Sequence, residues 1–163
     1  MSKSKSMSKL KKSLLIICTF IIFPILSVVA QTEAADKIIG TYYVSDDKSD
    51  EDCKVKIVKD KNGTYSGRII WMKYPNQKDG TPKRDIMNPD PAKRNTLSKD
   101  ILLVYNFRYD AKKNQWVDGE IYDPVHGKIY KSKMWFESEN VLRVRGYIGI
   151  SALGRTMTWK KLS

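Results

Sequence analysis

GEIYDPVHGKIYKSKMWFESENVLRVRGYIGISALGRTMTW, residues 119–159, holds three runs rich in Ile, Val, Tyr, Phe, Trp and Thr. They cover 128–137, 141–147 and 155–160, and turn signals part them: Pro124 with Gly127, residues 138–140, and Gly149 with Gly154. β-branched and aromatic side chains fit a pleated, half-buried surface, and short Gly/Pro/Asn connections fold such runs back on themselves. The stretch therefore predicts an antiparallel meander. It decides the architecture and carries little reaction chemistry.

Upstream the same grammar continues. Residues 115–122 read as a strand in which Gly119 marks a bulge or a close backbone approach. Residues 101–109 are a strongly apolar strand, and 53–59 and 64–72 are joined by the Asn62-Gly63 hairpin turn. A first strand, 40–45, follows Gly40. No helical period follows the N-terminal segment. Eight antiparallel strands with mostly short connections predict an all-β, eight-stranded up-and-down barrel, because closure removes exposed edges. A barrel of that size is either packed with side chains or holds one small ligand. Residues 74–99 break the pattern, with Pro75, Pro82, Pro89 and Pro91 and no period. A loop that long is expected to cross one end of the barrel as a mobile lid. Residues 46–52 read as a solvated acidic turn: the glycine and terminal glutamate of a calcium loop are missing.

The N-terminus has a different character. Residues 1–12 carry five lysines and no acid, residues 14–29 are apolar, and Val28-Val29-Ala30 ends in small residues. That order predicts a secretory signal peptide over 1–30, a mature chain over 31–163 and no membrane anchor after cleavage. The apolar run is about 16 residues, against the roughly 20 that a spanning helix needs. Export to the periplasm or beyond follows. Without the leader the formal charge falls from +12 to +7, since five of the 30 Lys and Arg go and all 18 acids stay. The remaining cations are spread along the chain, and an anionic envelope surface is a candidate partner. Cys53 is then the one cysteine, which excludes an internal disulfide, and its alternation with Val55 and Ile57 reads as a core thiol.

Six motifs in order resemble the bacterial secreted family known as domain of unknown function 2147. They are Gly40-x-Tyr42; Gly67-Arg68-Ile69; Asp85-x-x-Asn88-Pro89-Asp90; Tyr122-Asp123-Pro124-x-x-Gly127-Lys128-x-Tyr130; Leu142-x-Val144-Arg145-Gly146-Tyr147; and Gly154-Arg155-Thr156-x-Thr158-Trp159. The family usually has Trp where Tyr42 stands. The resemblance implies a lipocalin- or streptavidin-like barrel, exported, with no established activity. It also implies that an aromatic of the first strand, Tyr42, meets a basic residue of the last, Arg155, to seal one barrel end.

The residues offer little for catalysis. The single histidine, His126, sits in a turn. There is no zinc spacing, no glycine-rich loop leading into a helix and no nucleophile-serine motif. Asp85 and Asp123 are the one carboxylate pair that could act on a glycan. Arg143, Arg145 and Arg155 near Tyr147 and Trp159 have the composition of a single-strand nucleic-acid binder, but export and the lack of a dense basic stripe argue against that role. A binding module remains. Arg155, Met157 and Trp159 share one face of the last strand, so Arg155 either plugs the barrel or faces an anionic ligand group. The candidate ligand residues are Asp85, Asn88, Tyr122, Asp123, Arg145, Tyr147, Arg155 and Trp159. No catalytic residue, metal ligand or cofactor is assigned. The reading is a non-enzymatic barrel that binds a small apolar or amphipathic ligand or an envelope component. Its rivals are a filled barrel acting through its surface and a glycan-acting enzyme using Asp85 and Asp123.

Overall fold

The computed structural model describes residues 32–45 and 51–163. The leader expected over 1–30 lies outside the described residues, as do residues 46–50 of the acidic loop. The chain divides into two units, Met1–Asp36 and Lys37–Ser163. Of the first, residues 32–36 form a helical turn.

The second unit is the expected barrel. Its strands are β1 (Gly40–Val44), β2 (Cys53–Lys59), β3 (Tyr65–Met72), β4 (Leu102–Asp110), β5 (Gln115–Asp123), β6 (Lys128–Ser138), β7 (Val141–Tyr147) and β8 (Gly154–Lys161). Each lies within one residue of its expected bounds, and each pairs antiparallel with its neighbours in a closed sheet. Because strands alternate in direction, the connections β1–β2, β3–β4, β5–β6 and β7–β8 all emerge at one end, here called the mouth. The three hairpins β2–β3, β4–β5 and β6–β7 emerge at the other.

Closure pairs Tyr42 with Lys161, Tyr43 with Lys160 and Val44 with Trp159. That register overturns the expected Tyr42–Arg155 seal. Arg155 pairs with Gly146, six residues before Lys161 on β8. At about 3.3 Å per strand residue this leaves roughly 20 Å along the strand. The basic residue opposite Tyr42 is Lys161. Its ammonium donates to the Lys37 carbonyl at 2.7 Å and stands 5.9 Å from the Phe136 ring centroid. Tyr42 donates to the Ile38 carbonyl at 2.7 Å and packs its ring 6.2 Å from Trp159.

Several of the largest fully buried side chains lie away from the mouth: Tyr42, Tyr65, Phe107, Trp116, Met134 and Leu142. Burial of such a side chain is worth about 1.5–3 kcal/mol, so this half of the barrel carries much of the stability. Trp116 meets Phe136 edge-on at 5.7 Å and Tyr109 at 5.0 Å. Both readings of Gly119 hold. The β5–β6 register shifts between Trp116 and Gly119, with Asp118 at φ 58°, and the missing Cβ makes room for the Phe107 ring.

Cys53 is buried beside β2's other inward residues, Val55 and Ile57. Burial, followed by the nearby Asp52 and Glu51 carboxylates, pushes its thiol up to about 11 from an ordinary 9.0. Burial also raises the Tyr42 hydroxyl above its ordinary 10.0. Both groups ionise more readily in the unfolded chain, so their contribution is complete below the unfolded values and is lost as pH rises through the folded ones. The urea midpoint is expected to hold steady up to about pH 9 and then fall. A midpoint that climbs between pH 9 and 11 would contradict these assignments.

The long β3–β4 connection is structured. Isolated bridges pair Asn76 with Pro82 and Arg84 with Leu97. Short 3-10 turns form at Pro91–Lys93, capped by the Asp90 side chain, and at Ser98–Asp100.

Candidate functional site

Above the aromatic floor the barrel opens into a cavity of about 560 Å³. Its walls include the interior positions Val44, Ile121, Tyr130 and Met157, with Trp159 at the base and Leu103 added where the β3–β4 register shifts. The pleat explains the set. Ile121 pairs with Tyr130, Gly146 with Arg155 and Val44 with Trp159, and cross-strand partners share a face. Gly146 adds no side chain, and Ile121 packs against it: a Cβ there would stand 3.1 Å from Ile121 Cγ2. Lys128 and Arg155 also line the cavity, so two cations stand at the rim of an apolar well. The indole Nε1 of Trp159 is buried and has no hydrogen-bond partner among the described residues.

The expected ligand residues separate into two groups. Tyr122, Asp123, Tyr147, Arg155 and Trp159 line the cavity, whereas Asp85, Asn88 and Arg145 do not. Asp85 is only 3 % exposed, and both its oxygens are engaged: Tyr122 Oη donates to Oδ1 at 2.6 Å, and Asn88 Nδ2 donates to Oδ2 at 2.6 Å. Tyr122 borders the cavity but alternates with the inward Ile121 and pairs with the exposed Ile129, so its hydroxyl end meets the long loop. The Asp85 N–H donates to Thr96 O at 3.0 Å, the Asp90 N–H to Asn88 Oδ1 at 2.9 Å and Arg94 Nε to Asn88 O at 2.8 Å. Gly127 (φ 64°) completes the join, since a Cβ there would run into the Met87 carbonyl. The loop is thus strapped to the end of β5 and the β5–β6 turn. No residue of 74–99 lines the cavity, so in place of the mobile lid expected across the end the loop is a strap held at Tyr122 and Gly127. The turn chemistry of residues 85–90 and their burial are one arrangement. Burial, reinforced by Asp85, holds the Tyr122 hydroxyl above the usual tyrosine range.

Arg145 shapes the β7–β8 loop. Its Nε donates to Ser151 O at 2.6 Å, Nη2 to Ala152 O at 2.9 Å and Nη1 to Thr156 Oγ1 at 2.7 Å. Asp123 takes the backbone N–H of Val125 at 3.0 Å and bonds His126 Nδ1 at 2.7 Å, the work of a turn starter. Asp85 is therefore absent from the cavity wall, and the two carboxylates do not face each other across it. Ile121, Lys128 and Met157 were not among the expected ligand residues; parity with Trp159 and Arg155 on β8 is the signal that points to Met157, whereas Ile121 and Lys128 join the set only through the strand pairings.

No curated protein matches the chain. A solved structure described as "Protein HP1028 from the human pathogen Helicobacter pylori belongs to the lipocalin family" is similar, with a TM-score of 0.64 and 24 % identity over 77 % of this chain and 83 % of that one. That likeness speaks for the fold alone. The family described as "Uncharacterized protein conserved in bacteria (DUF2147)" matches residues 40–161, the first strand through the last, and to that family the chain belongs.

Proposed function

We propose that the barrel binds one small amphipathic ligand, with its apolar body against Ile121, Met157 and Trp159 and an anionic end near Lys128 and Arg155. The cavity carries this reading. Its roughly 560 Å³ falls in the range of small-molecule sites, and the combination of apolar walls with a few convergent polar groups is the usual make-up of such sites. An acceptor on the ligand would also satisfy the Trp159 indole N–H, since buried donors are rarely left unpaired. A barrel filled along its whole length has no support from a site of this volume. A glycan-cleaving carboxylate pair has none from an Asp85 committed to Tyr122 and Asn88. With the basic and apolar leader over residues 1–30, the proposal places this binding outside the cytoplasm.

Native mass spectrometry of protein isolated from its own envelope is expected to show a co-purifying mass. A fluorescent long-chain carboxylate should bind the recombinant barrel. Arg155→Gln should weaken it about tenfold, the worth of one charge-assisted hydrogen bond. Met157→Trp, which fills the well, should abolish binding with little change in the urea midpoint. Neither a bound mass nor probe binding, or a probe indifferent to Met157→Trp, would overturn the reading.

A further inference from the structure

The five most exposed large apolar side chains among the described residues are Ile86, Val125, Ile148, Ile150 and Leu153, each between 65 and 73 % exposed. All five stand on mouth-end connections, and monomers seldom leave such side chains bare together without a use for them. Three of them share the β7–β8 connection, where Arg145 Nε and Nη2 hold the Ser151 and Ala152 carbonyls. Residues 148–153 include no charged side chain.

Charge is divided around the same rim. In a closed sheet whose strands follow sequence order, the four mouth-end connections succeed one another around the opening. The β1–β2 connection therefore stands across the mouth from β5–β6, and β3–β4 across from β7–β8. The β1–β2 connection is acidic, with Asp46, Asp47, Asp50, Glu51 and Asp52 against Lys48 alone. The β5–β6 side is basic. Lys128 is exposed at its end, and the Asp123 carboxylate is turned back onto the Val125 N–H and His126. The strap that abuts Gly127 adds the exposed Arg94, whose Nε bonds the neutral Asn88 carbonyl. A rim acidic on one side, basic across from it and apolar between is self-complementary. A two-fold axis in the plane of the rim, running through β7–β8, turns each acidic connection onto the basic side of a second copy and sets the two uncharged connections against each other. A surface of one sign would match only half of it.

We infer that two copies of the chain pair mouth to mouth about that axis. Ile148, Ile150 and Leu153 meet their own counterparts, and the acidic connection of each copy lies over Lys128 and Arg94 of the other, so each charge contact is made twice. The inference stands apart from what the cavity holds.

The chain from Gln31 onward keeps every described residue and omits the leader, whose apolar run would associate by itself. Its sedimentation over the micromolar range should show a monomer–dimer equilibrium that weakens with added salt. Cys53 is buried, so Ile150→Cys supplies the accessible thiol. Close to the axis, it should form a disulfide-linked dimer under mild oxidation in air, whereas Asn140→Cys, in a hairpin at the opposite end, should not. The surface triple variant Ile148→Ser/Ile150→Ser/Leu153→Ser, which touches no core residue, should weaken the dimer at least about tenfold. Lys128→Glu should weaken it about tenfold, and adding Asp46→Lys/Asp47→Lys to the same chain should restore it, because the two sites meet between copies. A chain monomeric throughout, equal cross-linking at both ends, an unaffected triple variant, or a charge reversal without rescue would overturn the inference. So would a nitrobenzoxadiazole label at 150 that brightens on phosphatidylcholine vesicles while the chain stays monomeric, which would assign these side chains to a lipid surface.

Discussion

Gly119→Ala is expected to cost the barrel about 3 kcal/mol, the upper end of what overpacking a core takes. An alanine Cβ there would sit within 2.5 Å of three atoms of the Phe107 ring. Phe107 is 0 % exposed, so the ring cannot swing into solvent. It must push its neighbours, or β5 must back away from β4 at the bulge between Trp116 and Gly119. The gain from replacing a strand glycine, about 0.5–1 kcal/mol, offsets only part of this. Chemical denaturation measures the loss. Pairing the change with Phe107→Leu should return some of the stability, because removing ring atoms relieves the overlap while leaving an apolar side chain in place. A Gly119→Ala midpoint equal to that of the parent chain would mean that the ring has room to move, and the account of β5 would fail.

The strands were legible because a period of two is written locally. Val, Ile, Tyr and Trp at alternate positions state which residues are strand, and Asn62-Gly63 or Pro124 with Gly127 states where the chain turns. Closure was legible as a fact and illegible as a register. That β1 meets β8 follows from eight strands needing no free edge. That Tyr42 falls opposite Lys161 rather than Arg155 depends on how far each strand has slid, which no single strand encodes. The cavity was half legible. The shared parity of Arg155, Met157 and Trp159 placed them on the inner face, but Ile121 and Lys128 become their neighbours only through the pairings of β5, β6 and β7. Tyr122 and Asp85 were singled out by motif without their side of the wall. Parity turns Tyr122 outward, and only the path of the long loop supplies the covering carboxylate 37 residues away in sequence.

That carboxylate carries the second large effect. Asp85→Ala is expected to destabilise the fold by about 3–4 kcal/mol, because it orphans two buried donors at once, each worth roughly 1–3 kcal/mol when left unpaired. The Tyr122 hydroxyl loses its acceptor at 2.6 Å, as does the Asn88 amide. Tyr122→Phe removes one of those donors and leaves Asp85 with the other, so alone it should cost less, about 1–2 kcal/mol. The double variant Asp85→Ala/Tyr122→Phe should then cost clearly less than the sum, since the phenyl ring no longer needs the acceptor that is gone. Asp85→Asn should fall between parent and alanine, because its carbonyl can still accept from Tyr122. Hydrogen exchange locates the damage. In Asp85→Ala the amides of Asp85, Asn88 and Thr96, which donate to Thr96, Asp85 and Lys93 respectively, should exchange far faster while those of β6 and β7 keep their protection. The strap would open with the sheet intact. Strict additivity in the double variant, or exchange spread evenly over the barrel, would mean that the loop is held by something other than this carboxylate. If the strap opens as expected, the cavity walls should remain, because residues 74–99 contribute none of them. Binding of the carboxylate probe at the mouth should then survive a change that detaches the longest loop in the protein.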